Sequence, residues 1–431
     1  MMRIFSILGL MLLAGNLCAQ ELTLSPYSRY GIGDIFSSTT TRNASMGGAG
    51  IATDNPFSIN RLNPATYADL VLTTMDVSAF GQVSLMRTSS ARAYPIAAGI
   101  YDAAFAFPAI KGPAFVFGFA PYSAVGYRIR TQQTVYLDGD TLLERVAYRG
   151  QGGLNQAYIG VAGKMLNNRL RLGGNVRFLF GETEYSWLNT IYTNDTLRAT
   201  QYQPITVAEN VFISGWNFQG GFIYQDTLSK KKNALFRIGA TAEYSAALNA
   251  DRVTLFTNNL VQDTLKAFEE GTVNIPAKFG AGISFYRPGF WSVSADITYR
   301  NWAGFTYFSD DVSLGKEIRI SAGAEITPNP DADNYGKRIN YRFGGYLKQG
   351  YITYGDQLVN DYGVTLGVGF PGARKGTNRF SFYRLYSRLN LAAEVGRRGS
   401  LNAGQPLEEY YASLRLGFSI NDRWFVKRVV D

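Results

Sequence analysis

The chain has 431 residues, 42 Lys and Arg against 33 Asp and Glu, a formal charge of +9, and no histidine. Its one cysteine, Cys18, lies in the apolar N-terminal stretch. Beyond that stretch imidazole bases, Ser-His-Asp triads, thiol nucleophiles, disulfides and His or Cys metal sites are excluded by composition.

Met1 to Ala19 reads as a secretory leader. Arg3 precedes an apolar run from Ile4 to Ala14, and Leu17 and Ala19 favour cleavage before Gln20. Leu17 before Cys18 is too large for a lipid-attachment signal. Loss of Arg3 takes the charge from +9 to +8. Nucleic acid is a poor partner for an exported chain whose basic cluster, Lys230 to Lys232, sits in a turn; anionic lipid headgroups or an anionic cargo fit better.

Gln20 to Arg42 is polar and turn-rich, and reads as a periplasm-side or lumenal lead-in. Asn43 to Leu70 follows. Gly47, Gly48 and Gly50 loosen its backbone, while Pro56 and Pro64 remove donors and block helix or sheet continuation. Asn63 is held extended by the proline after it. The stretch is expected to be a compact plug, with a surface linker as the plain alternative.

From Leu70 the hydropathy alternates with period two. In 169–181, Leu170, Leu172, Val176, Phe178 and Phe180 share one face, and Arg169, Arg171, Asn175 and Arg177 the other. The pattern recurs in Trp291–Arg300, Ile318–Ile326 and Ser413–Ile420. About fourteen such runs lie between 70 and 421. Beyond the leader no run reaches the 18 or so apolar residues of a membrane helix. With 46 Gly, 28 Tyr, 28 Phe and only 17% charged residues, the expectation is all-β: an outer-membrane β-barrel of about fourteen antiparallel strands, lipid on one face and lumen on the other. The domains are 1–19 leader, 20–69 lead-in and plug, and 70–431 barrel. Short turns are expected at the periplasmic end and long external links near 191–207 and 250–270, the latter holding Glu269 and Glu270. Asp138-Gly139-Asp140 reads as a turn, because it lacks the remaining ligands of a calcium site. The tail Tyr410–Asp431 reads as a terminal strand for membrane insertion.

Residues 46–65, MGGAGIATDNPFSINRLNPA, resemble the Gly/Ala-rich hatch and Asn-Pro-Ala motif of the FadL/TodX family of outer-membrane transporters for long-chain fatty acids and other hydrophobic compounds. Residues 321–350 resemble a late strand-turn-strand of the same family. The resemblance implies a barrel blocked by an N-terminal hatch, with Asn63, Pro64 and Ala65 fixing the hatch, Gly47, Gly48 and Gly50 at its gating bend, and cargo leaving sideways into the membrane.

Alternation places Arg128, Arg130, Arg171, Arg177, Arg237, Arg319, Arg342 and Arg415 in the lumen, against Glu243, Asp296 and Glu325. A guanidinium pairs a carboxylate at two points. Arg128, Arg171, Arg177 and Arg319, with Met46, Phe57 and Leu62 for an apolar tail, are therefore candidate ligand contacts. The alternative is that the arginines hold the plug. No catalytic residues, cofactor or metal are expected, and the chain reads as a non-enzyme. The expected function is passage of hydrophobic or amphipathic, fatty-acid-like small molecules through a hatch-gated barrel; the alternative is a non-transporting barrel subunit of an outer-membrane machine for protein secretion or assembly, with outer-membrane protein partners.

Overall fold

A computed structural model describes residues 21–54, 56–109, 112–137, 140–192, 204–258, 261–308, 314–355, 357–372 and 387–422. The leader, the Asp138-Gly139 turn, most of the 191–207 link and the tail after Asp422 lie outside these residues. The described chain is a closed antiparallel barrel of fourteen wall strands.

The strands follow in chain order, each paired with its neighbour. They are β1 (Thr73–Arg87), β2 (Ile96–Pro108), β3 (Ala114–Leu137), β4 (Asp140–Met165), β5 (Leu170–Tyr192) and β6 (Ile205–Ser229). Next come β7 (Ala234–Glu243 continued by Ala246–Asn258), β8 (Val261–Ile275 continued by Lys278–Arg287), β9 (Trp291–Asn301) and β10 (Lys316–Ile326). The last four are β11 (Asn340–Tyr354), β12 (Gln357–Pro371), β13 (Arg388–Arg398) and β14 (Glu408–Asp422). β14 closes on β1 in unbroken register from Glu408–Arg87 to Asp422–Thr73. Closure leaves no wall edge facing hydrocarbon, where an unpaired peptide group would cost several kcal/mol.

The side chains are distributed inside out relative to a water-soluble protein. On β9, Ser292, Ser294, Asp296 and Arg300 are buried in the lumen, whereas Trp291, Val293, Ile297 and Tyr299 are exposed on the outer face. Lipid is the medium that fits that outer face.

Four connections at one end are short, and the other two there, residues 327–339 and 372–387, are longer. The β4–β5 turn uses Leu166, Asn167 and Asn168 with φ of 47°, 52° and 66°, a left-handed bend in which asparagine is favoured. At the other end β3 to β6 run 24, 26, 23 and 25 residues, well beyond the 9 to 11 or so that cross a membrane. The expected long link at 250–270 is therefore mostly strand: residues 246–258 pair with 261–275, and Glu269 pairs with Arg252 at 3.4 Å. Each half of this hairpin gains ladder hydrogen bonds that a loop would leave to water.

Two departures from a regular wall position everything inside. The first breaks β7 after Glu243 and β8 at Pro276, which has no N–H to give. The second is at Pro121, where a bulge adds one residue to β3. Below it β2 and β3 pair over Ala103–Pro108 and Ala114–Phe119; above it they diverge. The N-terminal lead-in fills that seam. Asp34 and Ile35 pair with Ala124 and Ser123, Phe36 N donates to Tyr122 O at 3.0 Å, and Ala98 N donates to Glu21 O at 3.3 Å. The lead-in thus lies at the long-hairpin end and forms part of the wall, not a periplasm-side approach. The same bulge corrects the placement of Arg128 and Arg130. One extra residue inverts the alternation beyond it, so both side chains point outward and are exposed.

Candidate functional site inside the barrel

Residues 21–72 run through the lumen and touch the wall all the way round. Inward-facing glycines make that approach possible. A Cβ at Gly417 (β14) would overlap Thr41, one at Gly367 (β12) Ser45, and ones at Gly323 and Gly344 (β10, β11) Met46. Across the lumen a Cβ at Gly173 or Gly221 (β5, β6) would overlap Pro64 and Ala65, and one at Gly282 (β8) would come within 2.9 Å of Ile51. The backbone of the segment lies where wall side chains would otherwise be.

Its polar groups are satisfied by the wall. Asn63 caps a 3-10 helix, Pro64–Asp69, by accepting from Ala65 N at 3.0 Å. Its amide donates to Ile51 O (2.8 Å), Phe222 O (3.1 Å) and Ala240 O (3.3 Å). Pro64 starts that helix without an N–H to lose. Gly47 and Gly48 take φ of 70° and 87°, and Gly47 N donates to Thr365 Oγ1 at 2.8 Å. Gly50 N and Ile51 N both donate to Asp296 Oδ2, at 2.6 and 2.8 Å.

Ion pairs complete the fastening, in three groups. Asp69 binds Arg171 Nε at 2.6 Å and Arg237 Nη1 at 2.7 Å, and Arg237 also reaches Asp54 at 3.1 Å. The side-chain carbonyl of Gln225 accepts from Arg171 (2.9 Å) and Arg237 (2.8 Å). In the second group Glu325 receives Arg42 through Nε (3.0 Å) and Nη2 (2.8 Å) and pairs with Arg342. The third lies in the wall: Glu243 takes Arg177 (3.2 Å), Arg300 (2.8 Å) and the Tyr122 hydroxyl (3.1 Å).

The segment's carboxylates respond in opposite ways. Burial raises the Asp69 carboxyl, but Arg237 and Arg171 outweigh it and hold the group below the ordinary carboxylate value. Burial wins at Asp54, which is pushed above it despite Arg237.

The candidate ligand residues are not gathered at one place. Arg171 is committed to Asp69, and Arg177 to Glu243 and Asn217. Arg319 donates to Gly47 O at 3.0 Å and lies 3.9 Å from the centre of the Tyr346 ring. Arg128 is on the outer face and pairs with Glu21. Met46 is fully buried against glycine wall, Leu62 packs toward Gly50, and Phe57 lines a cavity at the short-turn end. Sequence reading missed Arg42, Asp54 and Asp69, although their position in a segment facing an arginine-rich lumen was a signal for them.

Two cavities flank the segment. The one toward the long hairpins holds about 210 Å³ and is bordered by Asp34, Arg319, Lys348, Asp361, Glu394 and Arg398. That toward the short turns holds about 250 Å³ and is bordered by Phe57, Phe290, Arg338, Arg342 and Arg388. Among the described residues no cluster of acidic side chains suits a metal ion.

A closed antiparallel barrel, apolar outside and occupied by its own N-terminal segment, defines the chain as an outer-membrane β-barrel of the hydrophobic-compound channel fold. Solved structures with that fold include the Pseudomonas putida toluene transporter TodX (15% identity, 90% of this chain and 99% of that chain covered, TM-score 0.57). A Pseudomonas aeruginosa FadL homologue (11%, 90% and 99%, 0.59) and the monoaromatic hydrocarbon channel CymD (12%, 91% and 99%, 0.54) share it too. At such identities the likeness is one of fold. No curated protein sequence matches the chain. The family described as BamG matches residues 1–431, and the chain belongs to that family.

Proposed function

We propose that the protein is a closed, non-transporting barrel that serves as a subunit of an outer-membrane machine for protein secretion or assembly. The observation that carries this is the fastening of the N-terminal segment by buried ion pairs, Asp69 with Arg171 and Arg237, and Glu325 with Arg42 and Arg342. Breaking one such pair by removing a partner costs about 3–5 kcal/mol, so a segment held by several is poorly suited to opening at each passage. Of the arginines expected to meet an anionic cargo, Arg128, Arg171 and Arg177 pair with the protein's own carboxylates and Arg319 donates to Gly47 O.

A second reading, passage of hydrophobic or amphipathic molecules, draws support from the fold shared with a toluene transporter and a monoaromatic hydrocarbon channel. One experiment separates them. The protein is extracted in mild detergent, its retained lipids are identified by mass spectrometry, its copurifying proteins are quantified, and uptake of toluene and oleate is followed in a strain lacking it. A stoichiometric outer-membrane partner with unchanged uptake supports the subunit. Uptake that falls with the protein and returns with it overturns it.

A further inference from the structure

The cavity at the short-turn end has more positive charge than the protein neutralises. Its carboxylates are Asp54, Glu325 and Asp331. Glu325 is held by Arg42 and Arg342, and Asp54 faces Arg237. Three further arginines on the same lining, Arg287, Arg338 and Arg388, pair with no carboxylate among the described residues, and Arg287 lies 4.1 Å from the centre of the Phe290 ring. Arg388 donates to the side-chain carbonyl of Asn340. Arg338 is 8% exposed, lies 5.2 Å from the centre of the Tyr335 ring, and its Nε is buried without a hydrogen-bond partner. The link from β12 to β13, residues 372–387, contains no Asp or Glu and so supplies no missing counter-charge. A buried guanidinium donor left unmatched is costly; an acceptor satisfies it, and an anionic one most strongly.

Pro56, Phe57, Pro288, Phe290 and Pro330 form an apolar part of the lining of this cavity of about 250 Å³, beside polar groups such as Ser292 and Asn390. That is room for one compact apolar or aromatic group, not for a long chain. We propose that the cavity is a binding site for a carboxylate carried on a compact apolar or aromatic body, the carboxylate meeting Arg338 and Arg388 and the body resting against Phe57 and Phe290. Planar two-point pairing makes guanidinium the fitting partner for that head group. The shared chemistry admits two sources, a free small acid or the carboxy terminus of a chain ending in an aromatic residue. This site is independent of whether the barrel is a machine subunit.

The test is calorimetric titration of the full-length protein in detergent with 3-phenylpropanoate and, as the uncharged match, 3-phenylpropanamide. The acid is expected to bind and the amide to bind about tenfold more weakly or not at all. Arg338→Gln and Arg388→Gln should each weaken the acid about tenfold, and Arg338→Lys should recover part of it. Arg338 lies on a link outside the wall strands, and heat-modifiable migration on a gel confirms that each variant keeps its barrel. A pentapeptide ending in phenylalanine, as free acid and as amide, distinguishes the sources: tighter binding than phenylpropanoate assigns a chain terminus, weaker binding a free acid. Equal binding of acid and amide, unchanged binding in Arg338→Gln, or no saturable binding below about 1 mM overturns the proposal.

Discussion

Asp69→Asn is the most informative single change. It removes one negative charge from between Arg171 and Arg237, whose side chains are 4% and 3% exposed. Arg171 then stays buried with the neutral Gln225 as partner and Arg237 keeps Asp54 at 3.1 Å, while the substituted amide keeps one acceptor oxygen. Removal of one member of a buried pair costs about 3–5 kcal/mol, and the retained acceptor places this case near 3. Because the pair joins the segment to the wall and not one wall strand to the next, the loss falls on local opening of the segment. Met46 is fully buried, so Met46→Cys, made with Cys18→Ser to leave no other thiol, provides a reporter. Where opening and closing are fast, labelling by a maleimide tracks the open population. A loss of about 3 kcal/mol raises it roughly a hundredfold, at 1.4 kcal/mol per factor of ten. An increase below about threefold in the Asp69→Asn background would refute the view that this pair fastens the segment.

The remaining expectations use the same reporter or close relatives of it. Because the Asp69 carboxyl is held below its ordinary value of 3.8, its contribution is complete above that pH and is lost as pH falls through the lower folded value. Hydrogen exchange of residues 43–69, corrected for intrinsic rates, should therefore show an acid step that Asp69→Asn lacks. Asp54, shifted upward, has the opposite sign, so Asp54→Asn should change opening far less than Asp69→Asn. Asn63→Asp keeps the cap on Ala65 but loses the donors to Ile51, Phe222 and Ala240. It should open the segment by about 2 kcal/mol or more, seen as at least tenfold faster labelling. Gly221→Val overlaps Asn63 and Pro64 and should expel that stretch, giving single-channel conductance in planar bilayers that the parent lacks. Arg128→Ala, on the outer face, should leave labelling within about twofold of the parent.

The class of fold is legible in the order of residues alone. Alternation is local: each strand carries its own lipid face and lumen face, so β9 can be read from Trp291 to Arg300 without knowing its neighbours. Glycine and proline likewise marked the segment that fills the lumen, because their backbone restrictions are intrinsic to the residue. Side-chain direction beyond an irregularity belonged to the tertiary structure. One extra residue at Pro121 turned Arg128 from lumen to outer face, and no period-two count anticipates a bulge whose purpose is to part β2 from β3 for residues 21–36. Charge pairing also lay beyond the sequence. Asp69 and Arg171 are 102 positions apart, and Arg42 and Glu325 are 283 apart, so only closure of the barrel around its own N-terminal segment brings them within hydrogen-bonding distance. Composition showed 42 Lys and Arg against 33 Asp and Glu, and only the folded chain decided that Arg171, Arg237 and Arg342 meet carboxylates while Arg338 and Arg388 do not.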